Sequence, residues 1–374
     1  MKLGAIQGLR AFAALLVVVH HGQVEAAALA LRAGLPFGPS TGLAWSAGVD
    51  VFFVISGFII VHASAPLYGR PGGRARFLAH RIARLVPLYW LVTALYLALV
   101  LTVPALLNGA DPPAPGYVAA SFLFWPALRP DGIPQPLYGL GWTLNCEMFF
   151  YAVFAVGLGW GRGRAVLWLG LALAGLVALG RLVPEPPTPL AFWGSPIVLE
   201  FALGAGLGLA RAHGLRLPDA ARLALAATGL AGLAVAGEPG EALRPLAYGG
   251  PALLLVAAAA LGREPPPGRG TRLGPALVAL GDASYALYLI HPFVLRATRE
   301  AITRLGLAAL VGPWGALGLM LALSVAASLV VARFVERPMT RAVRHRLDPG
   351  AGAGTVQKPC DGPPGGVCRT PKSH

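Results

Sequence analysis

The chain has 374 residues, 56% of them hydrophobic and only 12% charged, with a mean hydropathy of +0.65. A soluble protein of this length carries about twice that charged fraction, and the long, unbroken apolar stretches exclude a β-barrel, which leaves a polytopic helical membrane protein. The net charge of +14 does not argue for nucleic acid, because the arginines crowd the connections between apolar stretches.

Windows of about 20 apolar residues predict an all-α bundle of about ten transmembrane helices. They fall over roughly 8–30, 43–63, 86–107, 138–158, 165–183, 192–211, 222–237, 244–261, 276–296 and 307–333. The first span carries Arg10, His20 and His21. Arg10 and His21 are eleven residues apart, about three helical turns, so they share a face about 16 Å apart along the axis. An arginine near one membrane surface thus lies below a histidine near the midplane, where ionisable groups are costly and point to function. Small residues at 26–30 resemble a signal-peptide cleavage site, but Arg10 interrupts the apolar region, so the span is expected to be retained.

In the second span, Asp50 either pairs with an arginine to hold helices together or orients His21 as a carboxylate orients an imidazole. Ser56 and Gly57 permit close helix contact; a nucleophilic Ser56 would need a neighbouring base. Arg81 and Arg84 are one turn apart before the third span. They are either positive-inside charge or a phosphate clamp, since guanidinium forks match phosphate geometry. His80 reads as interfacial. The apolar stretch 117–128 is too short to cross and is expected to be re-entrant or interfacial.

In the fourth span, Glu147 sits near mid-membrane, as half of an ion pair or as part of a site. Cys146 reads as packing. In the ninth span, Tyr285 and Tyr288 share a face, and His291 precedes Pro292, expected to kink or end the helix. Past the tenth, Glu336 is expected to pair locally with Arg337. Residues 1–346 form one membrane domain, and the Gly/Pro-rich segment 347–374 is expected to be a disordered cytoplasmic tail. Its Cys360 and Cys368 are too isolated for a zinc site, and no metal site is expected elsewhere.

Arginines set the orientation. The connection after the second span holds Arg70, Arg74, Arg76, Arg81 and Arg84, whereas the one after the third holds Arg129 alone. Both termini are therefore expected in the cytoplasm. The connection after the ninth span is the exception: Arg296, Arg299 and Arg304 fall outside. Either it faces a polar cavity or an anionic partner, or the count is off by one.

Taken together, these blocks resemble the acyltransferase type 3 family of integral membrane O-acyltransferases. The family's Arg-x10-His signature falls on Arg10 and His21. Its Gly-Val-Asp-x-Phe-Phe-x-x-Ser-Gly-Phe block falls on Gly48, Val49, Asp50, Phe52, Phe53, Ser56, Gly57 and Phe58, and its Arg-x-x-Arg-x-x-Pro-x-Tyr-Trp block on Arg81, Arg84, Pro87, Tyr89 and Trp90. A Trp-Ser-Leu-x-x-Glu-x-x-Phe-Tyr block falls on Trp142, Leu144, Glu147, Phe150 and Tyr151, with Thr143 where serine is usual. A Ser-Tyr-x-x-Tyr-Leu-x-His block falls on Ser284, Tyr285, Tyr288, Leu289 and His291, and a closing Glu-x-Pro on Glu336 and Pro338.

The resemblance implies transfer of an acyl group, commonly acetyl, from acyl-coenzyme A to a sugar hydroxyl. It implies catalytic roles for His21, Glu147 and Asp50, and substrate contacts from Arg10, Arg81, Arg84, Ser56, Tyr285 and His291. Acyl-coenzyme A, with acetyl-coenzyme A favoured, is a co-substrate rather than a resident cofactor. The expected acceptor is a glycan or a glycosylated small molecule, the surroundings are membrane lipids, and the location is the inner (plasma) membrane. No esterase-like domain follows, so a stand-alone enzyme is expected. The alternative is a polytopic transporter or flippase, against which stands the absence of paired broken helices in matching halves.

Overall fold

The structure, a computed structural model, describes residues 4–103, 112–262 and 273–348. The expected disordered tail, with Cys360 and Cys368, lies outside the described residues apart from Leu347 and Asp348. Fourteen α-helices account for the fold among the described residues, and the only β-pairing is an isolated bridge between Leu128 and Pro134. The helices are α1 (Gly4–Ala33), α2 (Gly48–Ala63), α3 (Gly73–Thr102), α4 (Pro115–Phe122), α5 (Trp142–Gly157), α6 (Arg162–Leu182) and α7 (Thr188–Trp193). They continue with α8 (Leu199–Ala212), α9 (Asp219–Val235), α10 (Gly250–Ala260), α11 (Leu273–Asp282), α12 (Ser284–Arg304), α13 (Ala308–Val331) and α14 (Arg337–Leu347).

Six helical stretches among the described residues are long and apolar enough to cross a membrane: α1, α2, α3, α5, α6 and α13. A seventh is α11 with α12 taken as one span, bent by 73° at the break between them. The other three expected spans coincide with the shorter α8, α9 and α10. This is a multi-pass helical membrane protein.

The structure corrects two boundaries. The third span begins at Gly73, so Arg81 and Arg84 belong to α3 itself and Pro87 lies within it. Pro292 does not end the ninth span either: α12 runs through it to Arg304, and the bend sits at Ala283 instead. The first half of the 117–128 stretch lies in the short α4, held against α3 where Tyr89 Oη donates to Ser121 O (3.0 Å) and Trp90 Nε1 to Phe122 O (2.8 Å).

Small residues let the helices that carry the site approach closely. A Cβ on Gly57 of α2 would meet the backbone of Phe201, and one on Gly204 of α8 would meet the backbone of Val54. The two helices therefore cross backbone to backbone, the small-residue packing that stabilises helix pairs in lipid. Helix α1 lies at the centre, packed against α2, α11, α12 and α13.

The arginine exception has a local cause. Buried Arg299 donates to Glu25 (2.5 Å) and Glu300 (2.7 Å), and Arg32 donates to Glu300 (3.0 Å). The anionic partners are carboxylates of α1 and α12 themselves, so Arg299 is neutralised where it stands. At the opposite end, Asp348 accepts from Arg76 Nε and His80 Nε2, both at 2.8 Å, tying the end of α14 to the start of α3. His80 is thus part of a clasp rather than interfacial decoration. Its hydrogen bond, with that of Arg76, holds the Asp348 carboxyl below its ordinary value.

Candidate active site

A narrow cleft with a cavity volume of about 100 Å³ opens among α1, α2, α3, α5 and α12. Arg10, Arg81 and Arg84 line it, opposed within the cleft by a single carboxylate, Glu147. Helical spacing brings these groups together. Arg81 and Arg84 sit at i and i+3 on α3, and Thr143, Glu147 and Tyr151 form an i, i+4, i+8 stripe on α5.

Each charge is held differently. Arg10 Nη2 donates to Ser284 Oγ (2.9 Å), joining α1 to α12. The Arg81 guanidinium lies over the rings of Phe77 (5.3 Å) and Tyr151 (5.5 Å), while its buried Nε has no hydrogen-bond partner among the described residues. Glu147 Oε1 accepts from Ser56 Oγ (2.7 Å) and from Tyr151 Oη. Glu336, expected to pair locally, lies within electrostatic reach of Arg84 and Arg10 across the bundle as well as Arg337. Tyr285 lines the cleft, but its hydroxyl is committed to Leu85 O (2.6 Å). Guanidinium groups in excess, one with an unpaired donor, form a receptor for an anion such as a phosphate.

His21 is not part of the cleft lining. The cleft ends at Phe52 and Tyr288, whose rings are 6.4 Å apart, and Tyr288 is fixed by Thr143 Oγ1 (2.8 Å) and Leu140 O (3.0 Å). Behind Tyr288 lies fully buried His291, its ring 6.3 Å away. His291 Nε2 is 3.1 Å from His21 Nδ1, and the two rings are 5.1 Å apart. His21 Nδ1 is also 3.1 Å from Val17 O, and His291 Nδ1 is 3.0 Å from Leu287 O. The arginines and the histidine thus meet through Tyr288 and His291, not within one cavity.

Asp50 is placed elsewhere. Its carboxylate takes both Arg244 Nε (2.9 Å) and Nη2 (2.8 Å) and lies beside the equally buried Glu200. Of the two sequence readings, this geometry is the arginine pair; Nδ1 of His21 faces His291 instead. Arg244 also lies over the ring of Tyr248 (5.2 Å). Sequence reasoning left out Glu200 and Arg244, and gave Tyr151 no role beyond its place in a motif. A lone carboxylate inside the sixth span is a usable signal for Glu200, whereas an arginine beside a span, as Arg244 is, has no feature that sets it apart from ordinary loop charge.

A second cavity, of about 390 Å³, lies against the other face of α5. Trp142, Cys146, Gln135, Phe192, Glu241 and Arg244 line it. Arg244 is within electrostatic reach of His20, whose ring stands 5.1 Å from that of His21. Among the described residues no group of three or more His, Cys, Asp or Glu side chains is placed to hold a metal ion.

Comparison with known proteins identifies the family. The acyltransferase type 3 family, described as an acyltransferase domain, matches residues 3–333. The chain is similar to "Exopolysaccharide production protein ExoZ" of Rhizobium meliloti (strain 1021), with 37% identity over 306 residues, covering 80% of this chain and 91% of that protein. It is also similar to "Acyltransferase MdmB" of Streptomyces mycarofaciens, with 29% identity over 384 residues, covering 92% of this chain and 94% of that protein. No solved structure matches. The chain belongs to the acyltransferase type 3 family and is a membrane acyltransferase that moves groups other than aminoacyl groups.

Proposed function

We propose that the protein transfers an acyl group, acetyl by preference, from acyl-coenzyme A to a sugar hydroxyl of a glycan. The observation that carries this reading is the succession of contacts that links the cleft with its three guanidinium groups, through Tyr288, to the His291–His21 pair. The phosphates of the donor rest on Arg81, Arg84 and Arg10. The pantetheine arm runs along the cleft to Phe52 and Tyr288, and a shift of these two rings lets the thioester reach His21. Arg10 and His21 are about 16 Å apart along the helix axis, a span suited to an extended thin arm.

The chemistry needs one base. As the acceptor hydroxyl attacks the thioester carbonyl, its proton passes to His21. The C–S bond breaks, and the thiolate takes that proton from His21, so the products are an ester and coenzyme A and the imidazole is restored. Glu147, held by Ser56 and Tyr151, fixes the wall against which Arg81 is stacked. The acceptor enters through the second cavity, where Trp142 and Phe192 offer faces to a sugar ring and Gln135, Glu241 and Arg244 offer hydrogen bonds to hydroxyls. The name of the Rhizobium relative favours a polysaccharide acceptor.

In this reading ten spans cross the inner membrane, both termini are cytoplasmic, and the arginine-lined cleft opens to the cytoplasm, where acyl-coenzyme A is found. The transporter reading gives way to the family's chemistry. The test is transfer of radiolabelled acetyl from acetyl-coenzyme A to extracellular polysaccharide fragments by purified protein in lipid. Label in the polysaccharide that depends on both substrates supports the reading. Tight coenzyme A binding with no acylation of the polysaccharide, or of a glycosylated small-molecule panel, contradicts it.

A further inference from the structure

We propose that His291 is a positioning residue that fixes the tautomer of His21, leaving Nε2 of His21 as the nitrogen that takes the proton. The inference rests on the reading of His21 as the general base. It follows from which atoms along the pair are able to donate.

Begin at the far end. His291 is fully buried on α12, and its Nδ1 is 3.0 Å from Leu287 O. A carbonyl oxygen only accepts, so Nδ1 of His291 carries the hydrogen. A neutral imidazole has one N–H, which leaves the lone pair on Nε2. A second hydrogen there would put an imidazolium in the apolar interior of the bundle, at high desolvation cost. Nε2 of His291 is therefore an acceptor, and the atom facing it at 3.1 Å is Nδ1 of His21. That same Nδ1 stands 3.1 Å from Val17 O, a second acceptor. With acceptors on both sides, Nδ1 of His21 holds the hydrogen, and the lone pair of His21 lies on Nε2.

The assignment matters because free imidazole side chains favour the opposite tautomer, with hydrogen on Nε2, in which the reacting nitrogen has no lone pair to give. In hydrolases the orienting partner is a carboxylate, and its loss costs on the order of 10⁴ in kcat through the wrong tautomer. Here the carboxylate that the sequence offered for that role, Asp50, is committed to Arg244. A neutral imidazole performs the same orientation without adding a negative charge to the membrane interior. When Nε2 of His21 accepts the hydroxyl proton, the Nδ1–H bond to His291 persists and becomes charge-assisted, which strengthens it at the moment of reaction.

Glutamine offers a direct replacement: its amide N–H can donate to Leu287 O while its carbonyl accepts from His21 Nδ1–H, the same pattern that His291 presents. Leucine offers neither. The test therefore compares wild type, His291→Gln and His291→Leu as full-length protein in lipid nanodiscs. Histidine labelled with the heavy nitrogen isotope reports by NMR which ring nitrogen is protonated, with the His21 signals identified by their loss in His21→Gln. Wild type is expected to show His21 protonated at Nδ1 and bare at Nε2. His291→Leu is expected to move His21 towards the Nε2–H form and to lower kcat by about a hundredfold or more, with donor KM unchanged. His291→Gln is expected to restore the Nδ1–H form and most of the turnover. A wild-type His21 protonated at Nε2 overturns the proposal, as does equal loss of turnover in both variants with Nδ1–H retained. The NMR readout needs no acceptor. If His21 is protonated at Nδ1 while His21→Ala keeps full turnover, the base assignment falls and takes the positioning role with it.

Discussion

Asp50 grips Arg244 through two parallel hydrogen bonds of 2.9 and 2.8 Å, and this pair, not a contact with His21, is what the aspartate of the second span makes. The geometry is the bidentate fork that suits guanidinium and carboxylate. Removing one partner of a buried pair strands the other, at about 3–5 kcal/mol. Asp50→Ala is therefore expected to lower the thermal unfolding temperature of the purified protein markedly, while Asp50→Leu combined with Arg244→Met recovers part of that loss. A fully stable Asp50→Ala that has lost turnover would instead place Asp50 in the chemistry.

Arg81 and Arg84 are expected to act on donor binding. Arg81→Ala and Arg84→Ala should each raise the KM for acetyl-coenzyme A by about tenfold or more, the loss of a charge-assisted hydrogen bond, with a smaller effect on kcat. Steady-state kinetics at saturating acceptor checks this. Unchanged donor KM in both variants leaves the two arginines with a topological role alone.

Why some of this was legible in the sequence and some was not follows from period and distance. The shared face of Arg10 and His21 is a property of one helix, and so is the Arg81–Arg84 turn, so spacing alone revealed them. The Asp50–Arg244 and His21–His291 pairs join residues far apart in the chain, and spacing carries no information about them. The start of α3 was missed because hydropathy marks where lipid begins, whereas the helix runs on through the polar interface to Gly73. Pro292 suggested a kink, yet the bend falls at Ala283, between Asp282 and Ser284, where no proline signals it. Ser56 reads as a packing residue beside Gly57, but only Gly57 is used that way; Ser56 turns to Glu147.

The second cavity makes its own claim on the acceptor. Trp142→Ala and Glu241→Gln are expected to raise the KM for polysaccharide fragments by about tenfold, equivalent to roughly 1–1.5 kcal/mol of lost contact. Coenzyme A affinity, measured by calorimetry, should stay within error of wild type. An acceptor KM that does not move in either variant would remove the glycan from this cavity.

Single cysteines report the orientation in a background lacking Cys146, Cys360 and Cys368. Ala75→Cys, on the exposed polar first turn of α3, is expected to react in intact cells only with membrane-permeant thiol reagents. Pro130→Cys is expected to react with impermeant ones. The five arginines of the first connection against Arg129 in the second are the basis. Labelling of position 75 from outside would turn the arginine cleft away from the cytoplasmic donor.

The central claim is that donor binding and proton transfer reside in separate places, the arginine-lined cleft and His21 beyond Tyr288. Its most direct test is one purified variant read twice. His21→Ala should bind acetyl-coenzyme A with wild-type affinity, because no phosphate contact is lost. It should lose acyl transfer by about a hundredfold or more, because the base is gone. Near-normal turnover in this variant, or a loss of donor binding as deep as the loss of transfer, would contradict the division of labour between the cleft and the histidine.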